Sequence, residues 1–573
     1  MSVVSSKISS VSSILKTPGV RSKLSRPANK VYFKLPQDLR TIILNFESGE
    51  SNKEYNNLLS ILQTYTIKDS DLLEFLIQVK ECAVLFGPVH SPFIEALLKI
   101  KWIKLSSETL TSYKECLEDL MCLQSYHVKL IIGNLVVQIK PEENENEWVA
   151  GECSEQDKIK LGHIHDIFQK VLKVIPLSSK ILLQSIRAKF PYMTHDTHTH
   201  EIYVYALLQI PEYAPQLQLD ILSLIINRLM ILDVNIPKVE EESECEDEAM
   251  EDDNECENMS QDHNEDNSNE NQEKSNTPTI HLMAHTLDIC IELVLNYIHN
   301  VCFEKDVLQV ESLRKIYFDM LKICEAIILP TYASQYVQYI VLYICSFKPV
   351  IIESFVEWLW QKASDPNVSS VIRQSSLAYI RSLLATAVFA SSTIVQATQL
   401  KMAKWIHNYI AIQDAISYGC DDTKKEHTVF YSICQSLFFI VIERHKDFIN
   451  TRSKYCKYIL CLHELDLPKI ITCKLNPLKF CQPEIVCSFA DITRTYQLAY
   501  CYTVIENNQR IQLPVLEAGQ HVSTLNYDSF LPFGEFALPQ SGQKILPLIR
   551  QSTISKYKTQ SRHRNDSIGF MSD

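Results

Sequence analysis

An all-α solenoid of helical hairpins is the fold class this sequence predicts, and three observations carry the prediction. The 573 residues include only 11 glycines, about 2% where ~7% is usual, which disfavours glycine-turned β architectures and glycine-rich nucleotide loops. Apolar residues are closely spaced in segments of about 12 to 20 residues joined by short polar connections, the pattern of paired helices. One segment, Val350–Phe389, reads as a hairpin of the HEAT type. A chain of this length has room for about four average domains or one long array. Its 46% hydrophobic and 22% charged content is that of a globular protein.

From the N-terminus, residues 1–30 read as a flexible basic tail. Lys7, Lys16, Arg21, Lys23, Arg26 and Lys30 occur with no acid before Asp38. Mitochondrial transit peptides and solubilising tails share that composition, and the apolar core of a secretory signal is missing. Folding is expected to begin within Leu35–Tyr65. Asp69, Ser70 and Asp71 offer caps for LLEFLIQVKECAVLF, SPFIEALLKIKWIKL follows, and Ser106–Ser107–Glu108 marks a turn before SYKECLEDLMCL. Further helices are expected at 161–175, 177–189, 199–210 and 214–231. In the last, Leu219, Leu222, Ile225 and Ile226 form an apolar stripe beside Asp220 and Asn227. Residues 31–236 thus make the N-terminal part of the array and 280–550 its C-terminal part. Between them, 237–279 is predicted to be a disordered acidic loop, because it has too few large apolar residues to offset the entropy of ordering. Residues 551–573 read as a flexible basic tail. Its Lys556, Lys558, Arg562 and Arg564 suit phosphate contact, nuclear import or plain solubility.

The stretch Val350–Phe389 is the most informative. In VIIESFVEWLW, Ile352, Phe355, Val356 and Leu359 recur at helical spacing, with Glu353 and Glu357 on a polar edge. Asp365–Pro366 is expected to stop this helix and begin the next, where proline's missing donor costs little. Val368, Ile372, Ser375 or Ser376, and Tyr379 then share one broad face. Asp365 can cap, and Arg373 can bind carbonyls or acids of a neighbouring repeat. Each such unit needs neighbours to cover its apolar side, so several imperfect hairpins favour a continuous HEAT-repeat-like array.

The net charge of -14 is concentrated. Glu240–Glu273 holds 17 acids and no Lys or Arg, which leaves the remainder at +3. Neither a uniformly acidic surface nor a strongly basic nucleic-acid-binding domain follows. The most apolar windows, Tyr339–Trp360 and Ala378–Val395, are broken by Lys348–Pro349 and Arg381, so no membrane span is expected. Eighteen cysteines without a secretory signal suggest reduced, buried thiols in an intracellular protein. P-loop, dinucleotide, HExxH, GxSxG and kinase signatures are missing, and no catalytic set or cofactor is assigned. Cys456/Cys461 and Cys481/Cys487 are too widely spaced for a zinc knuckle. His195, His198 and His200 lie beside Asp196 and Glu201, but His198 and His200 cannot share a helical face. A solvent-facing turn, with Thr197 or Thr199 capping EIYVYALLQI, is the simpler reading and a metal site the alternative. Tyr431, Phe438, Phe439, Tyr496, Tyr500 and Tyr502 could stack bases, yet their surroundings read as packed helices.

Two long ordered strings carry a resemblance to a known family. They are LPTYASQYVQYIVLYICSFKPVIIESFVEWLWQKASDPNVSSVIRQSSLAYIRSLL, Leu329–Leu384, and LNPLKFCQPEIVCSFADITRTYQLAYCYTVIENNQR, Leu475–Arg510. With FLPF at Phe530–Phe533 and KFPYM at Lys189–Met193, they resemble the RNA polymerase I-specific transcription initiation factor family, also called transcription initiation factor IA. The similarity spans residues 30–550, taken roughly. Asp365, Pro366, Arg373, Gln374 and Tyr379 belong to the first string; Asn476, Pro477, Lys479, Arg494, Tyr496 and Gln497 belong to the second.

The resemblance implies a HEAT-repeat factor without catalytic activity or cofactor. It implies that the factor joins RNA polymerase I, at its stalk, to the promoter core factor for rRNA gene transcription. It allows a weak or indirect rDNA contact, leaves open whether DNA is touched directly, and implies a location in the nucleus, especially the nucleolus. Oligomeric state is left open. The resemblance also implies a serine-rich, phosphorylation-sensitive patch facing the polymerase. Ser106, Ser107, Thr109, Thr111 and Ser112 in LSSETLTS are its compact candidates, with helix capping the alternative for Ser106 and Ser107. At Thr386, where relatives can carry a basic residue, the chain departs from the family pattern, and the family's C-terminal regulatory tail is shortened or altered. A HEAT-type nuclear import adaptor or other scaffold, and an enzyme with an unrecognised pocket, are the competing readings.

Overall fold

The computed structural model of the chain describes residues 35–36, 38–49, 52–64, 67–141, 151, 153–236, 277–416, 427–448, 462–512 and 530–550. The basic tails expected at 1–30 and 551–573, the bulk of the acidic stretch, 237–276, and Cys456 and Cys461 lie outside them. The fold is all-α and solenoid-like. The chain divides into two compact units, Met1–Asn134 and Leu135–Asp573, so the N-terminal part expected at 31–236 spans both. The first unit holds α1 (Leu39–Ser48), α2 (Asn52–Thr64), α3 (Asp69–Glu81), α4 (Ser91–Leu98), α5 (Ser107–Leu123) and the start of α6 (Val128–Val137).

In the second unit follow α7 (Glu155–Val174), α8 (Ser178–Lys189), α9 (Thr197–Tyr213), α10 (Gln218–Asn235) and α11 (Thr277–Cys302). A short antiparallel ribbon, β1 (Phe303–Glu304) with β2 (Val307–Leu308), departs from the sheetless expectation. Its turn residues, Lys305 and Asp306, both adopt positive φ, as a tight hairpin requires. Then come α12 (Val310–Ile323), α13 (Tyr339–Ser346), α14 (Pro349–Ser364), α15 (Ser370–Thr386), α16 (Ser392–Ile416) and α17 (Thr428–Arg444). Among the described residues the last helices are α18 (Leu467–Ile471), α19 (Pro477–Phe480), α20 (Pro483–Thr495), α21 (Tyr502–Gln512) and α22 (Pro539–Ile545). Among the described residues no single helix is long and apolar enough to cross a membrane.

In the first unit α3 and α5 run parallel. The Asp69 carboxylate accepts the Ser106 amide at 2.8 Å at one end, Lys80 donates to Glu115 at 2.6 Å midway, and the Gln124 side chain donates to the Val84 carbonyl at 2.6 Å at the other. Leu72, Phe75, Leu76 and Val79 of α3 and Tyr113, Cys116, Leu117 and Leu120 of α5 are all buried, Phe75 against Phe93 and Tyr113 against Trp102. The caps expected at Asp69–Ser70–Asp71 are instead first-turn residues. Lys68 occupies the cap position without a capping bond, while Asp69 and Asp71 sit where negative charge favours the helix dipole.

The second unit stacks hairpins. In α14 and α15, Ile352, Phe355, Val356 and Leu359 are buried and Glu353 is exposed, as their spacing predicts. Asp365 and Pro366 end α14 but do not begin α15. The Asp365 carboxylate accepts both the backbone and side-chain N–H groups of Asn367, which holds the turn open until Ser369 caps α15 through the Ile372 amide. Arg373 donates to the Ala363 carbonyl at 2.8 Å, so it closes the end of its own hairpin partner rather than reaching another repeat. α15 and α17 run parallel: from the end of α17, Arg444 donates to the carbonyls of Leu384 and Ala390 at 2.8 and 2.7 Å. Phe438 of α17 stacks on Phe489 of α20 at 4.2 Å between ring centres, and Glu357 of α14 pairs with Lys401 of α16.

Residues 530–550 form a strap across this array. Arg381 donates to the Phe530 carbonyl, Thr386 to that of Phe533 and Tyr339 to that of Gly534, while the Phe533 amide donates to Ser382. Phe533 packs edge-on against Tyr339 and Tyr379. Buried Asp288 of α11 accepts the amides of Gln540 and Ser541, both at 2.8 Å, and the Ser541 hydroxyl, which caps α22 from a distant helix. The last strap residue, Arg550, pairs with Asp447 at 2.9 Å.

Candidate interaction surfaces

The hydroxyl cluster at the start of α5 divides by helical phase. Ser106, Ser107 and Thr111 are exposed. Thr109 and Ser112 are buried beside Leu110, Tyr113 and Cys116, so they leave the expected polymerase-facing set as inward residues. Ser106 stands at the cap position with extended backbone, yet its hydroxyl meets the Thr109 hydroxyl at 3.0 Å instead of a backbone amide. The Thr111 hydroxyl donates to the Ser107 carbonyl, leaving its oxygen outward. Nearby, the hydrogen bond from Lys80 to Glu115 raises the ammonium pKa above its ordinary value.

The two matching strings supply mainly architecture. Asp365 and Arg373 close the α14–α15 turn, Pro366 is exposed in it, Gln374 is half-buried on α15, and Tyr379 is buried against Phe533. Asn476 adopts positive φ and pairs its side-chain amide with that of Asn508 at 2.6 Å, setting Pro477 as the buried first residue of α19. Gln497 has φ 56° just past α20, where the Leu498 amide returns to the Thr493 carbonyl. This closes the helix in the manner usually given to glycine. Lys479 and Arg494 are exposed; Arg494 lies over the Tyr502 ring at 5.7 Å, and Tyr496 is half-buried near His445.

Of the aromatic candidates, Tyr431, Phe438 and Phe439 are core, while Tyr500 is exposed and Tyr502 donates to Asp491, which raises the phenol pKa. The histidine run is not one turn facing solvent. His200 and Glu201 are buried; Glu201 accepts the Gly151 amide, and burial holds the His200 pKa below its usual range. Asp196, not Thr197 or Thr199, caps α9 by accepting the Thr199 amide; the two threonines are already first-turn residues, Thr199 with its hydroxyl on Asp196 and Thr197 with its hydroxyl 2.8 Å from that of Thr286. Among the described residues no group of three or more His, Cys, Asp or Glu could hold a metal ion. Cys481 is buried, with its thiol pushed up to about 12, and Cys487 is exposed.

Thr386 is not a surface loop position. It ends α15, buried, with its hydroxyl on the Phe533 carbonyl, so a partner contact at this residue is closed off by the strap. The strap anchors Asp288, Gln338, Arg381 and Ser382 were missed from sequence. The available signal was polar and charged residues inside otherwise apolar helices, as in SLAYIRSLLAT.

Residues 37–551 match the family model for RNA polymerase I specific transcription initiation factor RRN3. The chain is similar to the RNA polymerase I-specific transcription initiation factor RRN3 of Mus musculus, 30% identical over 524 residues, 88% of this chain and 79% of the mouse protein. It is 24% identical to the rrn3 protein of Schizosaccharomyces pombe over 492 residues, 81% of this chain and 76% of that one. The crystal structure of RNA polymerase I transcription initiation factor Rrn3 shares the fold, with a TM-score of 0.69 at 18% identity over 89% of this chain and 96% of that chain.

Proposed function

The chain belongs to the RNA polymerase I-specific transcription initiation factor RRN3 family, and from that premise we propose how it serves polymerase I initiation in the nucleus. It acts without catalysis, as a bridge within the nucleolus. Ser106, Ser107 and Thr111 lie on the face that meets RNA polymerase I at its stalk, and the C-terminal array meets the promoter core factor. The observation that carries this reading is the run of packed hairpins in the second unit, where α15 and α17 form the interior and α14 covers them with one side while Glu353 and Ser354 stay in water, a repeat architecture suited to large partners. The exposed hydroxyls at the start of α5 offer regulation: a phosphate there adds roughly -1.5 to -2 charge beside exposed Glu108.

Nuclear affinity purification with mass spectrometry tests the bridge. Polymerase I subunits, the stalk among them, and the core factor should be recovered together; import receptors and cargo without polymerase I would overturn it. The face is tested by alanine and glutamate variants at Ser106, Ser107 and Thr111, compared by thermal unfolding and by polymerase binding at two salt concentrations. Folded variants with near-normal alanine binding and weakened glutamate binding are expected. Equal binding by both would remove these residues from the docking face.

A further inference from the structure

We propose that the chain's own basic N-terminal segment, residues 1–34, docks on the outer face of α3 and α5. One end of that face is apolar: Ile77 is 48% exposed, Leu123 53%, Val84 66% and Tyr126 71%. The hydrogen bond from Gln124 to the Val84 carbonyl joins the turn that carries Val84 to the one that carries Leu123 and Tyr126, and Ile77 lies on α3 seven residues before Val84. An exposed apolar patch with a polar rim marks an interaction surface, and here the rim is acidic. α3 and α5 together carry eight carboxylates and two lysines, and Glu74, Glu81, Glu108 and Glu115 are exposed. Such a face fits a cationic, amphipathic segment.

Residues 1–34 have that chemistry. They hold seven Lys or Arg and no acid. Val4, Ile8, Val11 and Leu15 recur at i, i+4, i+7 and i+11, so a helix formed on docking turns all four to one side. The point of entry is also right. Leu35 is buried, and the Leu39 amide donates to the Gln78 side chain at 3.3 Å, next to Ile77 in sequence. A segment tethered there meets the face at an effective concentration in the mM range, so a weak contact suffices. The rival attractor, Glu240–Glu273, carries more charge but has few apolar side chains to cover the stripe. The contact lies within the chain and shares the exposed face of α5 with Ser107 and Thr111, so a docked segment would compete with a polymerase bound there; its test reads cross-links within the chain, and either reading can fail without the other.

Carbodiimide cross-linking of the full chain, mapped by mass spectrometry, tests the proposal. Lys7 and Lys16 should link to acids of α3 and α5. Raising salt from about 0.1 M to about 1 M shortens the Debye length from about 10 Å to about 3 Å and should cut the yield several-fold. In the Glu74→Lys/Glu81→Lys variant, links to the remaining Glu108, Glu115 and Asp119 should fall several-fold while circular dichroism stays that of the parent. Replacing Val4, Ile8, Val11 and Leu15 by Ser keeps the charge and should also lose these links. Links from the tail to Glu240–Glu273 in their place, a scatter over exposed acids throughout the chain, or α3–α5 links indifferent to both variants would overturn it.

Discussion

α5 and α15 are each 17 residues long, yet they are buried in different ways. α5 buries one stripe, Thr109, Leu110, Ser112, Tyr113, Cys116, Leu117, Leu120 and Met121, and keeps Ser107, Thr111 and Glu115 in water. α15 is buried without interruption from Ser376 to Thr386. Its cover comes from α14, from α17 and from a strap about 150 residues further along the chain, shown by the Arg381–Phe530 and Ser382–Phe533 bonds. A helix covered on one side carries its own signature at a period of 3.6 residues. A helix covered on all sides must satisfy polar groups on its far side with partners that its own sequence does not name.

The sharpest way to break this contrast is to empty the strap. Phe533→Ala removes a ring that is 3% exposed and packed on Tyr339 and Tyr379. The expected cost is about 3–5 kcal/mol, measured by urea unfolding. A loss below about 1 kcal/mol would mean that α15 does not depend on its distant cover.

A second test separates two kinds of buried polar group. Arg381 is held by the strap carbonyl of Phe530, whereas His165 of α7 is a buried group that can change its charge. Burial lowers its pKa from 6.5 to about 4, with one ring nitrogen sharing a hydrogen bond with the Tyr213 hydroxyl at 2.9 Å. A histidine whose folded pKa is depressed contributes stability above its unfolded pKa and loses it as pH falls. The loss should therefore develop between pH 6.5 and about 4 and reach about 3 kcal/mol. Unfolding followed across that window should show a shallower acid limb for His165→Gln than for the parent. Identical limbs would assign the loss to other groups.

The smallest effect belongs to the outer face of α5. Ser107→Ala and Thr111→Ala should change stability by no more than about 0.5 kcal/mol, because both side chains stand in water. A drop of about 2 kcal/mol in thermal unfolding would show that this end of α5 is held by its hydroxyls.

The same contrast sets what was legible in the sequence. Stripes such as Ile352–Phe355–Val356–Leu359 could be read directly, because burial on one side repeats with the helix. That phase also holds the answer for Thr109 and Ser112, which fall with Tyr113 and Cys116; reading the hydroxyls as one cluster overlooked it. Caps were harder. Asp196, Thr197 and Thr199 are all capping residue types, and only the point where the backbone turns helical makes Asp196 the cap, with Thr199 donating to it and Thr197 turned to Thr286, 89 residues away. Asp365–Pro366 was a sound stop signal but a poor start signal, since Asn367 competes for the same carboxylate. FLPF stood out as a matching string, but its place against α13 and α15 rests on bonds to Gln338, Ser382 and Thr386 that no local pattern announces.

The bond from Ser541 to Asp288 spans 253 residues, and that distance is also an interval of time. At roughly 5–20 residues per second of synthesis, α11 waits about 13 to 50 s for the segment that caps α22 against it. Until then the polar groups of Asp288, Arg381 and Thr386 lack their strap partners, which arrive only when residues 530–541 are made. A nascent chain stalled before Phe530 leaves these anchors without their strap, so the second unit waits for its most distant segment before its helices can close.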